Sequence, residues 1–237
     1  MPRSHSGSRK NIKRPIIAIE GIHGVGKTTV FKMLQRVLSP NKFKFYPERL
    51  KQRPYWPFGS SDKNIAFRSE VHFIQQMIER NEMVQKDMRD RKVRGFILDR
   101  SAISVLVYSK ALGLDSKDFY LLEDFFYSTK WLENILIYLE ASVDTIYKRI
   151  KARGLLEKER LEWNEDNINY IKVLKRNYSY YIMDLKKKRN LKVIKINTDN
   201  KKPLEIMQEI KEIILSESET GVLQLPGQIL LDSFIMK

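Results

Sequence analysis

The sequence predicts a three-layer α/β domain: a parallel sheet of about five strands with helices on both faces. Three observations predict it. Short apolar runs rich in β-branched and aromatic residues recur along the chain, helical periodicity fills the intervals between them, and a glycine-rich loop joins the first run to the first helix. Strands that alternate with helices pair in parallel, because each return crossing is made by a helix that must cover a sheet face. Of the 237 residues, 42% are apolar and 31% charged, a balance that supports a packed core and argues against wholesale disorder.

The elements follow in order. PIIAIE (15–20) reads as a buried strand, and Thr28 to Leu38 as a helix stopped near Pro40. FKFYPE (43–48) is the second strand. From Asn64 to Asp90 the apolar residues Phe67, Val71, Phe73, Ile74, Met77, Ile78 and Met83 are spaced to line one helix face. GFILDR (95–100) is a third strand, with a helix over Ser101–Gly113 that ends at glycine. A helix from Ser116 to Trp131 precedes the strand NILIYLE (134–140). Further helices are expected over Ser142–Ala152 and much of Trp163–Lys187, then the strand LKVIKIN (191–197) and a helix over Pro203–Leu215. The basic stretch 1–14 is expected to be a disordered leader, 15–216 one domain, and 217–237 a tail with no assigned role.

Bulk chemistry narrows the function classes. With no cysteine, disulfides and thiolate metal sites are excluded. No apolar run approaches the ~20 residues of a membrane helix, so a soluble, cytoplasmic protein is expected. The net charge of +15 suits a polyanionic partner, either nucleic acid or small nucleotides. No zinc-finger spacing or RNP-like strand appears, and nucleic acid is the less favoured partner.

GIHGVGKTT (21–29) carries the strongest chemical signal. Gly21, Gly26, Lys27 and Thr28 fit the pattern G-x4-G-K-[ST] in the required strand–loop–helix context. Glycines let backbone N–H groups turn towards phosphate oxygens, and the following helix presents its positive end. The donor-binding candidates are therefore Gly21, Ile22, His23, Gly24, Val25, Gly26, Lys27, Thr28 and Thr29. Lys27 would meet the β- and γ-phosphates of ATP and the Thr28 hydroxyl a Mg2+ ion. The run FILD places Asp99 at a strand end, where it can hold the metal or orient an acceptor, with Arg100 beside it for an anionic substrate. The absence of an Asn-Lys-x-Asp stretch weakens a GTPase reading.

Four segments resemble the thymidylate kinases and their relatives, the deoxynucleoside kinases. They are IEGIHGVGKTT, YPER (46–49), DRSAISVLVY (99–108) and the basic RIKARGLLEKERLE (149–162), together covering about 20 to 180. The resemblance implies the three-layer P-loop NTPase fold with a small basic lid at about 149–162, and often a homodimer. It implies a dTMP kinase that uses ATP and Mg2+. Glu48 and Arg49 would form the acceptor site, with Arg49 on the monophosphate, Arg80 and Tyr108 would reach the acceptor, and Asp99, Arg100 and the lid residue Arg153 would act in transfer. Phe73 is either core or a platform for the base. Two departures stand out: His23 replaces a usual Asp, and Asp99-Arg100-Ser101 is also close to the deoxynucleoside kinase pattern. A deoxynucleoside kinase, with Glu48 as base for a 5′-hydroxyl, is the alternative, and a non-enzymatic nucleotide- or nucleic-acid-binding protein the third reading.

Overall fold

The computed structural model describes residues 14–48, 62–154, 165–189 and 191–219. Residues 1–13 of the expected leader, the tail beyond 219, Arg49 and most of the lid lie outside the described residues, whereas Arg14 donates to the carbonyls of Asp90 and Val93. The order of elements is β1 (Ile16–Glu20), α1 (Lys27–Val37), β2 (Phe43–Tyr46), α2 (Lys63–Asp87), β3 (Gly95–Asp99), α3 (Ile103–Ala111), α4 (Ser116–Ser128), β4 (Ile135–Glu140), α5 (Val143–Gly154), α6 (Ile168–Lys188), β5 (Lys192–Asn197) and α7 (Pro203–Glu219). All five strands pair in parallel in the order β2-β3-β1-β4-β5. The expected α/β class and strand count are therefore observed.

The order explains the apolar runs. β1 and β3 are central and buried throughout, which requires near-continuous hydrophobic sequence. β5 lies at an edge and exposes Lys192, Lys195 and Asn197. β2 ends at Tyr46, before Pro47, because proline has no N–H to continue the ladder. α1 packs against α7, while α3 packs against α2, α4 and α6, giving the two helical layers. Among the described residues no helix is long and apolar enough to cross a membrane.

α2 departs from expectation in detail. Asp62 caps it, accepting from the N–H groups of Asn64 and Ile65. Phe73, Ile74 and Met77 are buried, but Met83 is 45% exposed and does not share their face. Buried instead are the polar Ser69, Glu70, Gln76 and Arg80. This helix faces a functional region as well as the core.

The turn after β1 depends on glycine. Gly21 has φ 146°, and a Cβ there would lie 2.4 Å from the Leu139 carbonyl oxygen. That oxygen belongs to sheet backbone and cannot swing aside. Gly21→Ala is expected to cost ~2–4 kcal/mol of stability, read as a lower thermal unfolding midpoint. An unchanged midpoint would show that the turn relaxes without cost.

Candidate active site

The C-terminal ends of β1 and β3 converge where the strand order reverses, the usual place for a ligand in an open α/β sheet. A cavity of about 660 Å³ opens there. The loop residues from His23 to Thr29 line it, as do Glu48, Phe73, Arg100, Tyr108 and Arg153. The structure thus brings together sequence candidates drawn from five separate segments. Gly21 is not on the wall, and Ile22 is buried beneath it at 1% exposure.

Lys27 begins α1, whose first backbone N–H groups have no intrahelical acceptors. Its Nζ donates to the Ile22 carbonyl at 2.8 Å, so the side chain folds back along its own loop. Burial, reinforced by the Arg100 charge, lowers its pKa well below the usual lysine value. Asp99 lies just behind the wall at 4% exposure. Burial and the neighbouring Glu48 charge raise its pKa, and its Oδ1 has no hydrogen-bond partner among the described residues. An orphaned buried carboxylate oxygen on Asp99 and the hydroxyl of Thr28 on the cavity wall are donors of the hard, oxygen-only kind that magnesium takes. The described residues contain no cluster of three acidic or histidine side chains.

Arg100 is the organiser of the other end. It has φ 69°, a left-handed conformation unusual for a non-glycine residue. The guanidinium bonds Glu48 Oε1 through Nε at 2.5 Å, and through Nη1 it reaches Glu20 Oε1 at 3.4 Å and the Gly21 carbonyl at 3.2 Å. It lies 5.4 Å over the Tyr108 ring.

Arg80 differs from its expected role. It is 3% exposed and is not on the cavity wall. Its Nη1 and Nη2 donate to the carbonyls of Asp99 and Arg100, each at 2.8 Å. A buried guanidinium with those partners holds the strained turn rather than a ligand.

Glu20 escapes a reading of sequence alone, and so do the partners of the loop residue His23. Glu20, noted there only as the end of an apolar run, is fully buried and accepts from the Gly21 N–H, the Tyr178 hydroxyl, and both the N–H and hydroxyl of Ser101. The available signal was a carboxylate closing a buried strand directly before the glycine loop. His23, where the resemblance has Asp, is 8% exposed and stacks on Tyr170. Its Nε2 lies 2.9 Å from the Glu165 carbonyl, an acceptor only, so Nε2 carries the proton. Nδ1 then accepts from the Tyr108 hydroxyl, which in turn accepts the His23 N–H, both at 3.2 Å. Burial pushes the Tyr108 pKa up to about 12, keeping that hydroxyl protonated.

Comparison with known proteins agrees with this geometry. Residues 17–216 match the family model described as deoxynucleoside kinase. A thymidylate kinase of Campylobacter curvus is 27% identical over 145 residues, covering 60% of this chain and 73% of that protein. A deoxyadenosine kinase of Dictyostelium discoideum is 25% identical over 215 residues, 86% of this chain and 80% of the relative. In fold, deoxyadenosine kinase from M. mycoides, solved with the products dCMP and a flexible dCDP, superposes with a TM-score of 0.67 at 21% identity, covering 85% of this chain and 99% of that one. Thymidylate kinase from Candida albicans gives 0.61 at 21% identity, covering 87% and 94%. The chain belongs to the deoxynucleoside kinase family, in the thymidylate kinase and deoxynucleoside kinase group of P-loop kinases, and is a nucleoside or nucleotide phosphotransferase.

Proposed function

We propose that the chain transfers the γ-phosphoryl group of ATP to the 5′-hydroxyl of a deoxynucleoside. The observation that carries this reading is the division of charge along the cavity. The end built from α1, α5 and the start of α7 carries Lys27, Lys32, Arg149 and Arg153, with Lys201 paired to Glu209. The end bounded by α2, α3 and α6 carries the carboxylates of Glu48 and Glu165 and a Glu70 that burial keeps neutral, with Arg100 already paired to carboxylates. A triphosphate suits the first end. A neutral hydroxyl suits the second better than a dianionic phosphate does.

In this mechanism Lys27 and the N-terminal amides of α1 hold the donor phosphates, and Arg153 faces the same chain. Thr28 and Asp99 are the residues that would hold magnesium, which when bound neutralises phosphate charge. Glu48, steadied by Arg100, accepts the hydroxyl proton as the 5′-oxygen bonds to the γ-phosphorus. The bond from that phosphorus to the ADP oxygen breaks, and the proton passes later to solvent.

The acceptor expected first from the sequence, dTMP, is the second reading. It is favoured by the arginine that follows Glu48 in YPER and by the likeness to thymidylate kinases. Coupled ADP release with deoxynucleosides and their 5′-monophosphates separates the two. Turnover with nucleosides and none with monophosphates is expected. The converse would overturn the hydroxyl reading in favour of a monophosphate kinase.

A further inference from the structure

Glu70 is a residue of this cavity that the transfer mechanism leaves unused. It lies on α2, 6% exposed, on the wall of the acceptor end. Its carboxyl has no hydrogen bond or ion pair among the described residues. Its oxygens open on the cavity, so their hydrogen-bond partners come from whatever occupies it. The charged and titratable groups that face it are Arg100 from the turn after β3, Glu48 after β2 and Tyr170 from α6. Burial dominates over the Arg100 charge and pushes its pKa up to about 8. At neutral pH the group is therefore a carboxylic acid, with one oxygen that donates and one that accepts. Phe73 lines the same wall one helical turn further along α2.

We propose that Glu70 reads the pairing edge of the acceptor's nucleobase, donating through its O–H and accepting through its C=O, with the base held beside Phe73. A neutral carboxyl matches a planar ligand that presents a donor and an acceptor side by side, as the pairing edges of nucleobases do. A sugar hydroxyl would engage one oxygen and leave the other orphaned. The assignment rests on this end of the cavity being the acceptor site. It holds whether the reacting group is a hydroxyl or a phosphate, because both kinds of acceptor carry a base.

The experiment is a cycle with two acceptors and three proteins. The four common deoxynucleosides and their 5′-monophosphates are tried with the wild type, and the best acceptor is compared with its analogue N-methylated on the pairing edge. Methylation is expected to lower wild-type kcat/KM by roughly 10²-fold. Glu70→Leu should lose a similar factor with the parent acceptor and lose little more on methylation, because the two changes remove the same contact. Glu70→Gln keeps a donor and an acceptor and should stay within about 10-fold of wild type. The ratio of wild-type to Glu70→Gln kcat/KM should fall above about pH 8, since ionisation removes the donor only from the acid. Separate, multiplying penalties for Glu70→Leu and methylation would overturn the assignment, as would a ratio that stays flat with pH. A wild type silent with all acceptors would overturn the kinase function itself and this assignment with it, a result plainly different from turnover that ignores the base edge.

Discussion

Lys27→Ala is expected to lower kcat/KM for ATP by roughly 10³-fold, the scale of removing a preorganised charge from a phosphoryl-transfer site. Two of the nearby cations are committed elsewhere, Arg149 to Thr198 and Lys201 to Glu209. Stability should move the other way. A folded-state pKa below the unfolded one means that burying the ammonium costs free energy. That cost is full below the folded pKa and disappears as pH rises past the unfolded value of 10.5. Alanine removes it, so the variant should unfold at the same or a higher temperature near neutral pH. Catalysis has a matching pH signature. The lowered lysine pKa and raised Asp99 pKa draw the two limbs of the free-enzyme profile together. Bound triphosphate favours the charged lysine, so the alkaline limb of kcat should lie above that of kcat/KM. Steady-state kinetics across pH measures both, and a variant within ten-fold of wild type would remove Lys27 from the mechanism.

Glu48→Gln is expected to lower kcat for a nucleoside acceptor by roughly 10²- to 10⁴-fold with a smaller change in KM. The amide oxygen can still accept from Arg100 Nε, so the geometry of the pair is kept and the base alone is lost. A monophosphate acceptor is already ionised and would feel the change far less. Retention of more than about a tenth of wild-type turnover with a nucleoside would sink the base assignment.

The sheet was legible because each strand is a run of consecutive apolar residues bounded by polar ones, and the periods of strand and helix differ. The phosphate loop was legible because its chemistry is local: nine consecutive residues form it. The acceptor end was harder. α2 buries Glu70, Gln76 and Arg80 among its apolar positions, which blurs the single-face pattern and put Met83 on the wrong side. Arg80 has the charge of a ligand-binding arginine, and only the fold shows that it serves two main-chain carbonyls. The tautomer of His23 is set by an oxygen 142 residues away, a relation that no spacing rule contains. Arg49 lies outside the described residues.

The Glu20 node has a consequence for how the enzyme is assembled. Its carboxylate takes one of its hydrogen bonds from Tyr178, 158 residues along the chain, and others from Ser101. A fragment that ended before α6 would keep every letter of the nucleotide-binding signature yet leave that buried carboxylate without its distant hydroxyl donor. The site is thus completed by a contact between distant parts of the chain, one that a shorter module cut from it would not inherit.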